Sequence, residues 1–317
     1  MRKLYGNLFG LILILIIILA GLEFLSTRGY TRPLIARLTD SEEYGIGGPE
    51  DVVPLINQGH KDDGTTKLIL GDSFADQTLG GLQEYNPDYA IMTSNAAVTI
   101  AGQYIIAKEY LDNHPDATDV YLFVLPESIG RTYDTEWGYQ YAVLPFITTD
   151  TITDLEDETV DIITNTYGKL YMNKSFAELV QNSEVNRKLA LNSLRDRTDG
   201  YVMSDFYELS DIYLTKLDDL CKEKGVKFHF CPCPVSEEKK EETHKLASTF
   251  KDSKTYNVDP RFYDRVIYYP AEWSGDGAHL KYEYRVKDYV EPLFWGIMKD
   301  CEFMQTFNFG EAFEGES

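Results

Sequence analysis

Lys67-Leu68-Ile69-Leu70-Gly71-Asp72-Ser73 is the stretch on which the reading of the chain turns. Its apolar half is too short for a helix and is bounded by turn formers, so it reads as a buried strand. Gly71 to Gly81 then reads as the turn into a helix. Working outward, Tyr89-Ala90-Ile91-Met92 is a second strand, closed by Thr93-Ser94-Asn95. Gln103 to Asn113 carries apolar Tyr104, Ile105, Ala107 and Leu111 and stops at His114-Pro115, which predicts a helix. Val120 to Leu125 is a strongly apolar strand ended by Pro126, and Val226 to Cys231 is another, preceded by a helix over 205–224 capped by Gly225. Charged and aromatic helices are expected over 237–250 and 281–298. Strands separated by helices predict an α/β fold with a parallel sheet covered on both faces.

Residues 130–204 break this rhythm. They are rich in Thr, Asp, Asn and Tyr, with helical fragments at 154–163 and 176–194. They read as an insertion, either a lid or platform over the active-site end of the sheet or a peripheral excursion. Residues 26–60 read as a linker without clear periodicity, 61–300 as the α/β domain, and 301–317 as an acidic tail.

In such a sheet, ligands gather at the carboxyl ends of the strands. Ser73 lies there, as do Pro126 to Ser128 and Cys231 to Pro234, and Ser274-Gly275-Asp276-Gly277-Ala278-His279 precedes the last expected helix. A serine hydroxyl is a weak nucleophile until an imidazole takes its proton and a carboxylate fixes the imidazole's tautomer. Ser73, His279 and Asp276 are therefore the candidate triad. Read separately, Gly-Asp-Ser is an ordinary turn and Asp-x-x-His a chance spacing; joint placement at the first strand and before the last helix lifts both. Asp72 is expected to shape the turn through its carboxylate. Glu127 and Arg131 either line the cleft or sit on the surface, and Trp273 either stacks on a sugar or packs internally. His114 and His229 read as structural.

These residues resemble the SGNH/GDSL hydrolase superfamily, which has a Gly-Asp-Ser block after its first strand and an Asp-x-x-His block before its last helix. The resemblance covers about residues 64–130 and 204–299. It implies a flavodoxin-like three-layer α/β/α sandwich, with Ser73 as nucleophile, His279 as general base and Asp276 as its orienting partner, and neither cofactor nor metal. The chain departs from the family pattern twice. Asn95 to Ile100 has the shape of the second block, but Ile100 stands where glycine is usual. The third block is replaced by Pro126-Glu127-Ser128, leaving Ser128 or Asn95 to donate to an oxyanion. Losing one such donor typically costs about 10²–10³ in rate, which points to a slow hydrolase or a specialised transferase.

With an N-terminal anchor added, the chain looks like the SGNH-like proteins of surface-polysaccharide O-acetylation. That resemblance implies a cell-surface glycan as substrate and a multispanning membrane-bound O-acyltransferase as partner. The rival from another class is a non-catalytic glycan-binding or scaffolding module that keeps the fold.

The anchor is read from Met1-Arg2-Lys3 followed by an apolar stretch from Leu8 to Leu22. With Phe24 and Leu25 the stretch approaches the roughly 20 residues that cross a bilayer. A cleaved signal peptide would end in a small-x-small site, and Leu22-Glu23-Phe24 after Ala20-Gly21 gives none. Residues 1–25 are thus expected to be a single-pass anchor in the cell membrane, with the domain outside the cytoplasm. The 317 residues carry a formal net charge of −22, which excludes nucleic acid as a partner because a phosphate backbone is repelled. Of four cysteines, Cys231 and Cys233 are spaced too closely for the usual metal knuckle. Cys221, Cys231, Cys233 and Cys301 are left either as disulfide partners or as buried thiols.

Overall fold

The computed structural model describes residues 9–15, 17, 49–79, 87–94, 98–133, 136–195, 208–251 and 262–285. At its centre are four parallel strands: β1 (Lys67–Gly71), β2 (Tyr89–Thr93), β3 (Asp119–Val124) and β4 (Lys227–Pro232), in the order β2-β1-β3-β4. Leu68 lies opposite Ala90 and Val120, and Leu70 opposite Met92 and Leu122. Leu68, Ile69 and Leu70 are fully buried. A strand covered on both faces shows a continuous apolar run instead of alternation. Each such side chain contributes about 1.5–3 kcal/mol by leaving water.

Helix α1 (Pro49–Gly59) precedes β1, α2 (Ser73–Leu79) follows it, and α3 (Ile100–Asn113) joins β2 to β3. The chain steps from β1 outward to β2 and then back across β1 to β3. Right-handed crossovers in opposite directions place α2 and α3 on opposite faces of the sheet. α1 corrects the expectation of an unpatterned linker through residue 60: Val52 and Ile56 are fully buried, with Leu55 packed beside them. Thr99 caps α3 by accepting from the Gly102 N–H at 3.2 Å.

The regular elements described in the inserted region are all helices: α4 (Glu136–Ala142), α5 (Leu144–Thr148), α6 (Asp157–Tyr167), α7 (Lys174–Gln181) and α8 (Glu184–Arg195), with a 3₁₀ turn at Thr151–Asp154. The single helix expected over 176–194 is broken at Asn182-Ser183, where the Ser183 hydroxyl accepts from the Asn186 N–H and starts a new helix. Tyr139, Tyr167, Tyr171 and Phe176 form an aromatic centre, with ring centroids 5.2–5.4 Å apart in each touching pair. Tyr213, on α9 (Glu208–Lys224), donates to Thr159 and accepts from the Glu156 N–H. Phe146 packs over Gly102 of α3. The insertion therefore leans on the α3 and α9 face.

After β4 come the short parallel pair β5 (Val235–Ser236) and β6 (Tyr268–Tyr269), with α10 (Lys240–Lys251) between them. At the amino edge of the sheet, His229 pairs with Asp119 at 2.9 Å while stacking on Tyr121. Nearby, buried His114 stacks on Tyr110 and reaches Asp63 at 3.3 Å. Both histidines serve the scaffold, far from the carboxyl edge.

Residues 9–15 are helical, with exposed Phe9 and Leu11 to Leu15. Among the described residues no helix is long and apolar enough to cross a membrane. Leu8, Ile16 and residues 18–22 of the apolar stretch, the helix expected beyond Arg285, the tail 301–317 and Cys301 lie outside the described residues. Cys221, Cys231 and Cys233 are buried and carry no disulfide among the described residues.

Candidate active site

Gly71 fixes how the first strand ends. A Cβ there would lie 2.4 Å from the Ala75 Cβ and 2.8 Å from the Phe123 carbonyl oxygen, so only glycine lets α2 fold back this tightly. The turn is then tied across the sheet. Asp72 is almost fully buried. Its Oδ1 accepts from the Phe74 N–H at 3.2 Å, and its Oδ2 accepts from the Leu125 N–H at 2.6 Å and from the Ser128 hydroxyl at 2.8 Å. The carboxylate thus joins the tip of β1 to the end of β3, beside the point where the strand order reverses and ligands collect in such sheets.

Ser73 opens α2, half-buried, with its Oγ 2.6 Å from the His279 Nε2. The His279 Nδ1 lies 2.7 Å from the Asp276 Oδ2. An ionised carboxylate can only accept, so Nδ1 carries the proton and Nε2 accepts from the serine hydroxyl. Two residues separated by 206 positions therefore meet in one proton relay.

The Asp276–His279 loop is shaped by local chemistry. Gly277 turns the chain with φ +88°, a conformation glycine adopts without penalty. The Asp276 Oδ1 accepts from the Ala278 and His279 N–H groups at 2.9 and 2.8 Å, so one side chain holds both the turn and the imidazole. Partial burial pushes the Asp276 carboxyl up, but the bond from His279 and the two backbone N–H groups outweigh it and hold it below the usual carboxylate range. An antiparallel bridge from Ser274 to Leu280 closes the loop, and the Ser236 N–H holds the Gly277 carbonyl at 3.3 Å. The Lys239 stem packs beneath Gly277, with its ammonium 3.0 Å from Glu242 and 3.5 Å from Glu127. Burial pushes Tyr269 up to about 12, helped by the negative charges of Asp276 and Glu127.

The remaining expected site residues are placed as follows. Ser128 is buried and its hydroxyl proton is committed to Asp72, so it is not aimed at a substrate. Ile100 opens α3 with its side chain buried; among described non-glycine residues only Asp150 has positive φ, so the backbone at Ile100 needs no glycine. Asn95 lies outside the described residues. Trp273 stacks on Tyr284 at 5.4 Å. The Asp72 link to Leu125 and Ser128 went unread in the sequence. A Ser two positions after the strand-ending Pro126 was its only signal, and that signal does not name its partner. No group of His, Cys, Asp and Glu among the described residues could hold a metal ion.

A hydroxyl, an imidazole and a carboxylate in this order can pass a proton off the serine and return it to a leaving group. The Ser73 N–H opens α2 without a backbone partner among the described residues, at the carboxyl end of β1. No protein-family model matches the chain, and no curated protein or solved structure was found similar to it.

Proposed function

We propose that this protein is a membrane-anchored serine acyl-transfer enzyme of the SGNH type, acting on O-acyl groups of a cell-surface glycan. The observation that carries the reading is the continuous hydrogen-bond chain from Ser73 through His279 to Asp276. The strand order β2-β1-β3-β4 supports a flavodoxin-like sandwich. The exposed apolar side chains of residues 9–15 support an anchor.

In this mechanism the Ser73 Oγ attacks the acyl carbonyl as its proton passes to the His279 Nε2. The tetrahedral intermediate collapses to acyl-Ser73 when His279 returns that proton to the departing alkoxide. An acceptor hydroxyl, from a sugar or from water, then gives its proton to the same nitrogen and releases the acyl group. Asp276 keeps the imidazole in the required tautomer and stabilises its cationic form. A tether holds the domain near a membrane partner and a surface polymer, raising effective concentration without new contacts.

The test is acylation of the full-length chain by an activated acetyl ester, read by mass spectrometry. Acetyl on Ser73, absent in Ser73→Ala, is the expected result; equal turnover of ester by both forms removes the enzymatic reading. Acetylated sugar as product marks a transferase, free acetate a hydrolase. The engagement of Ser128 by Asp72 favours a second reading, a glycan-binding module without turnover. Glycan binding undiminished by Ser73→Ala, with no acyl adduct on the wild type, would establish it.

A further inference from the structure

Acyl transfer through Ser73 creates an oxyanion on the attacked carbonyl, and that charge must be met by donors held in place beforehand. The surroundings make this demanding. The Asp72 carboxylate, one residue from the nucleophile, is satisfied by neutral donors, with no cation against it among the described residues. Asp76 follows one turn later on α2, half-buried and bonded to the Thr93 hydroxyl at 3.2 Å. Lys239, the ammonium beneath the histidine loop, is already shared between Glu127 and Glu242. Neutral N–H groups alone would have to hold a new negative charge beside an uncompensated one.

Arg131 has the complementary defect. Its Nε is buried and without a hydrogen-bond partner. An unpaired buried donor is costly, about 1–3 kcal/mol. Arg187 and Arg265 carry the same buried, unpartnered Nε; what sets Arg131 apart is its place on the chain. The segment from Pro126 to Tyr133 leaves the end of β3 and is pinned at two points. Ser128 bonds Asp72 at 2.8 Å, next to Ser73, and the Arg131 N–H bonds the Ser128 carbonyl at 3.3 Å. Tyr133 then accepts from the hydroxyl of Thr99, the cap of α3, at 3.3 Å. Arg131 thus sits on a strap that crosses the carboxyl edge between the β3 and β2 sides of the nucleophile.

We infer that Arg131 is a catalytic residue whose guanidinium N–H groups receive the oxyanion formed on the acyl group at Ser73. The proposal rests on the acyl-transfer reading above. The guanidinium is a permanent cation with several fixed donors, so it supplies charge and direction together. It adds what the neutral Ser73 N–H lacks.

The experiment compares wild type, Arg131→Met and Arg131→Lys as full-length chains, following release of nitrophenolate from p-nitrophenyl acetate together with acetyl-Ser73 by mass spectrometry. Arg131→Met should lower the acylation rate by about 10²–10³-fold with little change in KM. Arg131→Lys should recover part of that loss as a point charge without the fork. Thermal unfolding should not shift downward in Arg131→Met, because the substitution removes an unpaired buried donor. In Arg131→Gly, low concentrations of guanidinium chloride should restore part of the rate. Acylation of Arg131→Met at the wild-type rate, or a loss that merely tracks lowered stability and resists rescue, overturns the assignment while leaving the Ser73 reading intact. A wild type that never forms acetyl-Ser73 overturns that reading, and this one with it.

Discussion

Asp72→Ala is expected to unfold the tip of the sheet before it affects anything else. The carboxylate accepts from two backbone N–H groups, Phe74 and Leu125, and from the Ser128 hydroxyl, all buried. The hydroxyl can rotate toward another acceptor; the two amides cannot. Leaving two buried donors unpaired costs about 1–3 kcal/mol each, so roughly 4 kcal/mol in total. For a domain of this size that lowers Tm by about 8–16 °C, at about 2–4 °C per kcal/mol. Asp72→Asn should fall between: its amide oxygen keeps the Leu125 and Ser128 bonds, while its NH₂ faces the Phe74 N–H and loses the third. The expected cost is about 1–3 kcal/mol. Ser128→Ala removes one donor and leaves the carboxylate with two, about 1 kcal/mol. Urea unfolding followed by circular dichroism and by intrinsic fluorescence measures all three. Equal stability of Asp72→Ala and wild type, or Ser128→Ala falling further than Asp72→Ala, would refute the idea that one carboxylate joins β1 to β3.

Gly71→Ala should cost at least as much as overpacking usually does, about 1–3 kcal/mol, because its Cβ meets the Phe123 backbone oxygen at 2.8 Å; a melting curve matching wild type contradicts the tight turn. Burial pushes the Cys221 thiol up to about 12 and Cys233 also upward, so iodoacetamide at mildly alkaline pH should label neither until urea unfolds the chain; fast labelling of native protein by mass spectrometry is the contrary result. Burial raises the Asp119 carboxyl, but bonds from His229 and Thr118 outweigh it and leave its pKa depressed. A depressed acid contributes stability that is present above the unfolded value near 3.9 and lost as pH falls through the lower folded value. The Tm deficit of Asp119→Asn should therefore be full at neutral pH and vanish in strong acid; a deficit constant across pH refutes the ion-pair account.

The four core strands were legible because burial on both faces leaves unbroken apolar runs, as in Leu68 to Leu70 and Val120 to Val124. The Asp276–His279 spacing was legible for a local reason: one carboxylate holds its own turn and the imidazole three residues on. Contacts between distant segments were not legible. Nothing local in Ser128 reveals that its proton goes to Asp72, and nothing local in Arg131 reveals an unpartnered Nε. Helix α1 escaped because its stripe of Val52, Leu55 and Ile56 is brief and follows several glycines. The break at Asn182-Ser183 escaped because a serine cap and an ordinary helical serine look alike in sequence.

Adjacent residues 72 and 73 divide the labour of the turn unequally. Ser73 makes one side-chain bond, to His279, whereas its neighbour holds three. On the proposed acyl-transfer reading, deleting the hydroxyl therefore silences the centre without loosening its frame. Under that proposal Ser73→Ala is the natural bait for an acylated saccharide, since the proposed ligand would stay uncleaved in a cradle of native shape.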